Sequence, residues 1–358
     1  MPNLMSTETK AESLPKASAA RRFVAPARFW DALPEKKVRC MLCPRLCAVS
    51  PGQRGHCGVR ENRDGQFFSL VYGRVCTAHV DPIEKKPFFH VLPGTTAFSV
   101  ATAGCNVNCT FCQNADLSQA RPEDLPAELL GPREVALLAR HFNCPSIACT
   151  YGEPTVFAEF AMDTAEAAQE LGIRSLIVSN GYIQPEALLT AYARMDAVKI
   201  DLKAFTEKYY REVVRARLKP VLKTIELLRR MDKWVELVYL LVPTLNDGDE
   251  ELRAMARWIR TNLGADLPLH FSRFHPDHQL RHLPMTPLES LDRAHQIARA
   301  EGLHYVYVGN VPGHPAQHTR CPHCGATVVE RTGFAASAVH LQKGCCAACG
   351  QAIAGLWQ

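Results

Sequence analysis

Three cysteines on one short segment carry the strongest chemical signal in the sequence. Cys105, Cys109 and Cys112 follow one another at spacings of x3 and x2, so their thiols can bind three irons of a cubane iron-sulfur cluster. Clusters that only carry electrons usually have four cysteine ligands. The missing ligand therefore predicts that a small molecule binds the fourth iron. A zinc knuckle, or a chance grouping of thiols, is the alternative interpretation.

A second set of thiols precedes this segment on a loop rich in Pro and Gly. It consists of Cys40, Cys43, Cys47 and Cys57. The set predicts a small metal-binding module, for which structural zinc and a second iron-sulfur cluster are both open. The loop lies immediately before the main domain and could fold over the mouth of its site, which favours the cluster.

A third set lies near the C-terminus and consists of Cys321, Cys324, Cys346 and Cys349. Its two CxxCG knuckles predict a rubredoxin-like zinc ribbon. Cys345 adjoins Cys346, and the CxxCG register favours Cys346 as the ligand. A nucleic-acid-binding ribbon is the rival interpretation, but Arg331 and Lys343 supply little charge for binding phosphates.

Composition limits the class of protein. The chain has 358 residues, 47% of them hydrophobic, which is enough for one main domain with smaller attachments. Fifteen cysteines in short-spaced sets, without a signal peptide, fit metal binding in a reducing cytoplasm better than disulfides. No apolar run approaches the ~20 residues that span a bilayer, so no membrane association is expected. A dispersed net charge of +5 argues against nucleic acid as the main partner.

Strand and helix patterns alternate through the middle of the chain. Short apolar runs predict strands at 97–103, 146–150, 175–179, 197–202, 235–242, 269–274 and 305–309. Amphipathic segments predict helices at 133–142, 155–171, 185–194, 218–231, 249–263 and 287–301. The alternation predicts an α/β fold, a partial (β/α)6 TIM-type barrel. Because no GxGxxG follows the first strand, a dinucleotide-binding Rossmann site is unsupported.

This barrel sets the predicted domain boundaries. Residues 1–25 are expected to be disordered, because their first twenty are polar and contain Pro and Ser. Residues 26–94 are expected to form the N-terminal metal module, 95–312 the barrel and 313–358 the ribbon.

Polar residues follow the predicted strands, at the end of a barrel where active sites lie. Besides the three cysteines, the strand ends carry Gly152, Glu153, Ser179, Asn180, Asp201, Lys203 and His275. Each has a structural interpretation when taken singly. Gly152-Glu153-Pro154 fits a turn before a helix, and Asp201 and Lys203 could simply pair with each other on one face of a strand. Together, beside a three-cysteine loop, they predict a functional site.

The spacing of the three cysteines, with Phe111 before the last one, resembles the cluster motif of the radical S-adenosylmethionine (SAM) enzymes. The resemblance implies a 4Fe-4S cluster whose open iron binds SAM, and reductive cleavage of SAM to a 5′-deoxyadenosyl radical. It also implies an electron donor such as flavodoxin or ferredoxin. By similarity to activating enzymes of the pyruvate formate-lyase type, the SAM contacts would come from Phe111, Asn114, Gly152, Glu153, Asp201, Lys203 and His275. The strand end Ser179-Asn180 is expected in the same site.

Over almost the whole chain the sequence resembles more closely the radical SAM member of the AmmeMemoRadiSam system. The shared signatures are CxLCPRxC, GxxGxCGVREN, YGR, HVDPIEKKP, HFSRFHPDHQL, YVYVGNVPGH and the paired CxxCG knuckles. The resemblance implies AMMECR-like and Memo-like partner proteins and leaves the substrate open. A glycyl-radical activating enzyme is the alternative within enzymes. A metal-stapled scaffold or binding protein is the alternative outside them.

Overall fold

The computed structural model describes residues 24–358, and the described part begins with small antiparallel sheets. β1 (Ala25–Pro26), β5 (Arg60–Arg63) and β6 (Gln66–Ser69) form one sheet, and β2 (Trp30–Ala32), β3 (Val38–Cys40) and β4 (Ala48–Val49) form another. The disorder predicted for residues 1–25 falls outside the described residues, except that Ala25 lies in β1. The cysteines of the N-terminal set lie at the end of β3 and in the segments between these short strands.

An eight-stranded sheet forms the centre of the molecule. β7 (Arg74–Val75) leads into β8 (Thr77–Pro82), which pairs antiparallel with β9 (Thr96–Ala101) at one edge. β10 (Glu128–Leu129) pairs with β7 outside this sheet. The other strands continue the sheet in parallel, each beside the preceding one: β11 (Ser146–Cys149), β12 (Arg174–Ser179), β13 (Ala197–Asp201), β14 (Trp234–Leu241), β15 (Leu269–Arg273) and β16 (Val306–Gly309). The predicted α/β partial barrel is confirmed, with β16 as a further parallel strand beyond six.

Helices alternate with the parallel strands. They are α1 (Ala115–Ser118), α2 (Pro132–His141), α3 (Ala158–Glu170), α4 (Pro185–Ala191), α5 (Glu207–Tyr209), α6 (Leu218–Arg230), α7 (Asp249–Leu263) and α8 (Leu288–Ala300). Pro132 and Pro185 each occupy the first helical position, where a missing N–H leaves no hydrogen bond unmade. Five of the six predicted helices start within two residues of the expected position; α3 starts three residues later, after a 3₁₀ turn at Pro154–Phe157. The sequence did not predict α1, α5 or the π-helix at Tyr210–Val214 that continues α5.

The bottom of the barrel, at the N-terminal ends of its strands, is filled by the segment 83–92. Ile83, Phe88 and Val91 pack with Ala97, Ala148, Leu176 and Ala197, which lie early in or at the middle of their strands. No helix among residues 24–358 is both long and apolar enough to cross a bilayer. Because the bottom of the barrel is filled, a ligand-binding site can lie only at the opposite end.

The C-terminal tail packs against the segment 83–92 at the bottom of the barrel. Its strands are β17 (Thr319–Arg320), β18 (Thr327–Thr332), β19 (Ala335–Val339), β20 (Leu341–Gln342) and β21 (Cys345–Cys346). Val328 and Ile353 of the tail are buried against Phe89, Tyr305 and Tyr307. The guanidinium of Arg331, itself buried, donates to the carbonyl of Phe89 at 2.6 Å. The tail is therefore docked on the barrel.

Candidate active site

A cavity of about 400 Å³ opens at the C-terminal ends of the parallel strands. Its wall contains most of the predicted site residues: Cys105, Cys109, Phe111, Cys112, Asn114, Gly152, Glu153, Ser179, Asn180, Asp201 and Lys203. His275 is the exception, because its side chain is exposed on the loop after β15 and does not line the cavity. The cysteines of the N-terminal set do not line it either, so the structure does not place their loop over the mouth.

The cluster loop, residues 104–114, follows β9 and is held from several sides. The backbone N–H groups of Asn108 and Thr110 donate to the carbonyls of Val214 (3.2 Å) and Val213 (3.0 Å) in the unpredicted helical turn after α5. The side-chain amide of Asn106 donates to the carbonyl of Tyr182 at 2.6 Å. The loop is thus shaped by its neighbours before any ligand binds.

The three thiols of this loop fit an iron-sulfur cluster. They face one cavity, yet they do not form a close set: among the described residues, only the C-terminal cysteines have ligand atoms that all lie within 4.8 Å of one another. Burial raises the pKa of Cys109 to about 12, against the opposing effect of Lys203. Metal binding must therefore release protons from these thiols. Ser118 lies 3.3 Å from the Sγ of Cys112 and can donate to a thiolate there.

Gly152 and Glu153 connect the end of β11 to the cluster loop and to β12. A Cβ on Gly152 would lie 2.7 Å from the carbonyl oxygen of Thr102, so only glycine fits. Glu153 is 2% exposed, and its carboxylate accepts the Thr155 N–H (3.0 Å), the Ser179 hydroxyl (2.7 Å) and the Asn180 N–H (2.8 Å). Burial raises its pKa, and these donors act against that effect. With about four acceptor sites on a carboxylate, one remains for a ligand.

Asp201 lies between two lysines at the end of β13. Its carboxylate is 2.8 Å from the Nζ of Lys203 and 3.3 Å from that of Lys199. Burial opposes ionisation, but the two ammonium groups lower the pKa of Asp201 to about 2. The Nζ of Lys203 also lies 5.6 Å from the centroid of the Phe111 ring on the cluster loop. The pairing considered from the sequence is present, and it places a cation beside the cluster loop.

Sequence reasoning missed Lys199, although the signal was available. Lys199 and Asp201 are two residues apart on β13, so they project to the same face, and Lys203 follows the end of the strand. Lys199 is buried, lines the cavity, and has its pKa lowered by burial.

A second missed group joins β8 to the residue Tyr151, which follows β11 on the far side of β9. Asp81 binds Lys85, Lys86 and the hydroxyl of Tyr151, and Lys86 also lies 3.3 Å from that hydroxyl. Burial lowers the pKa of Lys86 to about 8, against the effect of Asp81. Lys85, Lys86 and Tyr151 line the cavity, so the HVDPIEKKP segment contributes to the site. No local pattern predicts this, because Asp81 and Tyr151 are brought together only by the sheet.

Behind the cavity wall, buried Glu236 contacts two residues that line the cavity, Phe89 and His270. Glu236 accepts from the backbone N–H groups of Phe89 (3.0 Å) and His90 (2.9 Å), from Trp234 (3.1 Å) and from His270 (2.7 Å). Because a carboxylate only accepts, we assign the Nε2 proton to His270. Burial favours the neutral acid, yet these donors lower the pKa of Glu236 to about 2. The Nδ1 of His270 has no partner among the described residues.

The C-terminal set forms a compact ligand group. The Sγ atoms of Cys321 and Cys349 are 3.7 Å apart, and those of Cys324 and Cys346 are 3.8 Å apart. Tetrahedral zinc with Zn–S bonds of about 2.3 Å requires a sulfur spacing of about 3.8 Å. Cys345 is outside the group, so the structure selects Cys346 as the CxxCG register predicted.

The same tail contributes to the wall of the cavity. Gln317 and Phe334, from either side of β17 and β18, both line it.

The family model that matches this chain is that of the Radical SAM superfamily, and it covers residues 99–259. That range begins in β9 and contains the cluster loop, Glu153 and Asp201. The chain contains a radical SAM superfamily domain. Membership implies an enzyme with a 4Fe-4S cluster and SAM, which the donor set of the cavity fits.

This radical SAM protein also belongs to one family with the uncharacterized protein MJ0808 of Methanocaldococcus jannaschii. The two are 44% identical over 329 residues, which span 91% of this chain and 98% of that protein. Pyruvate formate-lyase activating enzymes are more distant. That of Escherichia coli is 24% identical over 168 residues, spanning 44% of this chain and 65% of the enzyme. That of Clostridium pasteurianum is 25% identical over 208 residues, spanning 53% and 82%.

Solved structures similar to this radical SAM protein include a domain of pyruvate-formate lyase-activating enzyme from Bacteroides vulgatus, with 17% identity and a TM-score of 0.40 over 46% of this chain and 98% of that one. Streptococcus suis SuiB bound to its precursor peptide SuiA has 15% identity and a TM-score of 0.48 over 64% and 51%.

Proposed function

We propose that this protein reductively cleaves SAM to methionine and a 5′-deoxyadenosyl radical and abstracts hydrogen from a protein or small-molecule substrate. The observation that carries the proposal is that three cysteines, a buried carboxylate and a lysine-aspartate pair line one cavity. A 4Fe-4S cluster held by Cys105, Cys109 and Cys112 would supply the electron that breaks the sulfonium bond.

The side chains around the cavity have distinct roles in this proposal. The remaining acceptor site of Glu153 would bind the ammonium of SAM, since its other sites hold Thr155, Ser179 and Asn180. Lys203 would bind the carboxylate of SAM and Asp201 its ribose hydroxyls, as charge-assisted partners. Phe111 would pack near the adenine.

We also propose a subfamily, partner proteins and an electron donor for this chain. The shared signatures support the AmmeMemoRadiSam member of the superfamily, with AMMECR-like and Memo-like proteins as partners and a flavodoxin or ferredoxin as electron donor. The sulfur spacing in the tail supports structural zinc there. Several thiolate metal sites in one chain are typical of a protein in the reducing cytoplasm. The N-terminal set would hold a second iron-sulfur cluster or zinc.

The test is spectroscopic and chemical. Anaerobically reconstituted protein, reduced with dithionite, should show a 4Fe-4S electron paramagnetic resonance (EPR) signal that changes when SAM is added, and should form methionine and 5′-deoxyadenosine slowly. The Cys105→Ala/Cys109→Ala/Cys112→Ala variant should lose both properties. Cys144→Ser, which changes a buried cysteine before β11, is the matched control and should retain them. A wild-type signal that SAM leaves unchanged would overturn the proposal.

A glycyl-radical activating enzyme is the second candidate, supported by the similarity to the pyruvate formate-lyase activating enzymes. Its product would be a stable backbone radical on a partner glycine, seen as a persistent EPR doublet. Neighbouring genes discriminate first: a glycyl-radical enzyme gene favours this candidate, and AMMECR-like and Memo-like genes favour the other. A metal-stapled scaffold would leave the cavity residues without a role.

A further inference from the structure

The four cysteines of the N-terminal set meet around one small cavity. A space of about 20 Å³ is lined by Cys40, Cys43, Cys47 and Cys57, although they come from β3, the turns after it and the turn before β5. The fold has therefore assembled four thiols that the sequence spreads over several turns. The question is which metal group they hold.

The spacing of these thiols differs from that in the tail. Around a single zinc, four sulfurs stand about 3.8 Å apart and leave no room for a water molecule between them. The tail cysteines meet this condition, but within residues 24–358 no other three potential ligands lie within 4.8 Å of one another. About 10–15 Å³ is enough for one water-sized sphere, so the space of about 20 Å³ holds about one such sphere, and the N-terminal thiols do not close on one another. In a cubane, iron and sulfide stand between the thiolates, so an open set of four thiols fits a cubane better than the closely spaced set that a single zinc requires.

A buried cation faces the same cavity. Arg60 lines it, is 1% exposed, and uses its terminal nitrogens for Glu159 (2.7 and 3.0 Å) and for the carbonyl of Arg28 (2.7 Å). Its Nε–H has no partner among the described residues. A buried donor without an acceptor is costly, and four thiolates around a metal group would present sulfur acceptors and negative charge to it.

From these observations we propose that Cys40, Cys43, Cys47 and Cys57 bind a second iron-sulfur cluster. Four cysteines leave no iron open, which is typical of a cluster that carries electrons. This second cluster therefore does not bind the substrate. It supplies electrons to the cluster that the loop 104–114 holds. The binding of this cluster stands on its own, whereas its electron-supplying role rests on the proposed function.

The cavity lies directly behind the cluster loop. A Cβ on Gly104 would come within 2.9 Å of the carbonyl oxygen of Cys57, so glycine permits the two loops to touch. Asn106 lines the N-terminal cavity, and its Oδ1 accepts from the side-chain amide of Asn180 at 2.9 Å. That same amide lies 3.6 Å from the Sγ of Cys105. Asn106, in the wall of the N-terminal cavity, is thus linked to the Sγ of Cys105 through the side chain of Asn180.

The outer side of the module is accessible to an electron donor. Leu46, between Cys43 and Cys47, is 39% exposed, and His56 beside Cys57 is exposed. In the proposed sequence, one electron from a flavodoxin- or ferredoxin-type reductant lowers the second cluster by one oxidation level. The same electron then passes to the three-cysteine cluster, which returns the second cluster to its starting level. No bond forms or breaks at the N-terminal site.

The experiment counts metals and follows EPR in the full-length protein. Anaerobically reconstituted wild type should contain about eight irons and one zinc per chain. The Cys105→Ala/Cys109→Ala/Cys112→Ala variant leaves the N-terminal module intact, so it should retain about four irons and an EPR signal that SAM does not change. The Cys40→Ser/Cys57→Ser variant should lose about four irons and keep the SAM-responsive signal. The Cys144→Ser control should match wild type.

The possible results separate this inference from the proposed function. The second cluster would be ruled out if the wild type contained two zincs and about four irons and the triple variant contained no iron. The N-terminal module would then be a structural zinc site. Four irons retained in the triple variant, with no SAM-responsive signal in the wild type, would support the second cluster and overturn the proposed function. The triple variant also decides the matter if Cys40→Ser/Cys57→Ser fails to fold.

Discussion

Glu153 and Asn180 are joined by a hydrogen bond of 2.8 Å from the backbone N–H of Asn180 to the carboxylate Oε2. The bond ties the end of β11 to the end of β12. Asn180 in turn reaches the Sγ of Cys105 with its side-chain amide. One carboxylate therefore fixes the position of the next strand end and, through it, the environment of a predicted cluster ligand.

Glu153→Gln should weaken SAM binding and destabilise the fold. The glutamine NH2 would face Thr155, Ser179 or Asn180, which themselves donate to this position. The ammonium of SAM would also lose a charged partner. Each loss is worth roughly 1.5–3 kcal/mol. Equilibrium dialysis with SAM and denaturant unfolding measure the two effects. Glu170→Gln, an exposed change at the end of α3, should alter neither. An unchanged SAM affinity in Glu153→Gln would remove this carboxylate from the site.

Gly152→Ala should displace the cluster loop. The added methyl would lie 2.7 Å from the carbonyl of Thr102, and overpacking of this kind typically costs about 1–3 kcal/mol. We expect reduced iron content after reconstitution and weaker SAM binding. Gly248→Ala at the start of α7 is the matched control, because nothing lies within 4 Å of its added Cβ. Equal iron content in the two variants would contradict the close approach.

Cys346→Ala and Cys345→Ala should differ sharply although the residues are adjacent. Cys346 belongs to the compact sulfur group and Cys345 does not. The first variant should lose about one metal ion per chain and lower the unfolding temperature, whereas the second should keep both at the wild-type level. Elemental analysis decides this. Metal loss from Cys345→Ala alone would reverse the assignment.

Glu236→Gln should change the acid stability of the protein. The folded pKa of Glu236 is about 2, below the ~4.3 of an unfolded glutamate, so its ionisation stabilises the fold above about pH 4. That contribution is lost as pH falls from about 4 through about 2. The difference in unfolding free energy between wild type and Glu236→Gln should therefore shrink over this window. A difference that stays constant with pH would contradict the lowered pKa.

The sequence predicted the seven parallel strands, most helices and the position of the cluster loop because their signals are local. Cys105, Cys109 and Cys112 lie within one loop, and strand ends of a parallel barrel must meet. The group of Asp81 and Tyr151 was not predictable in this way, since the pairing of β8 with β9 and of β9 with β11 brings them together. His275 was expected from resemblance, but the loop after β15 directs it outward.

The helical turn at Tyr210–Val214 illustrates the same limit. Its π-helical backbone ends at Arg215, which has a left-handed conformation (φ 59°) that sequence patterns rarely signal. Yet its carbonyls hold Asn108 and Thr110 of the cluster loop. The residues that shape the loop are therefore distant in sequence from the motif that identifies it.

Because Gln317 and Phe334 lie in the cavity wall, the tail encloses one side of the cavity. If the tail cysteines hold the proposed metal, a chelator that removed it would loosen that wall without touching Cys105, Cys109 or Cys112. Dioxygen and solvent would then have easier access to the site of the proposed radical chemistry. The proposed metal in the tail would in this way affect how well the protein tolerates air.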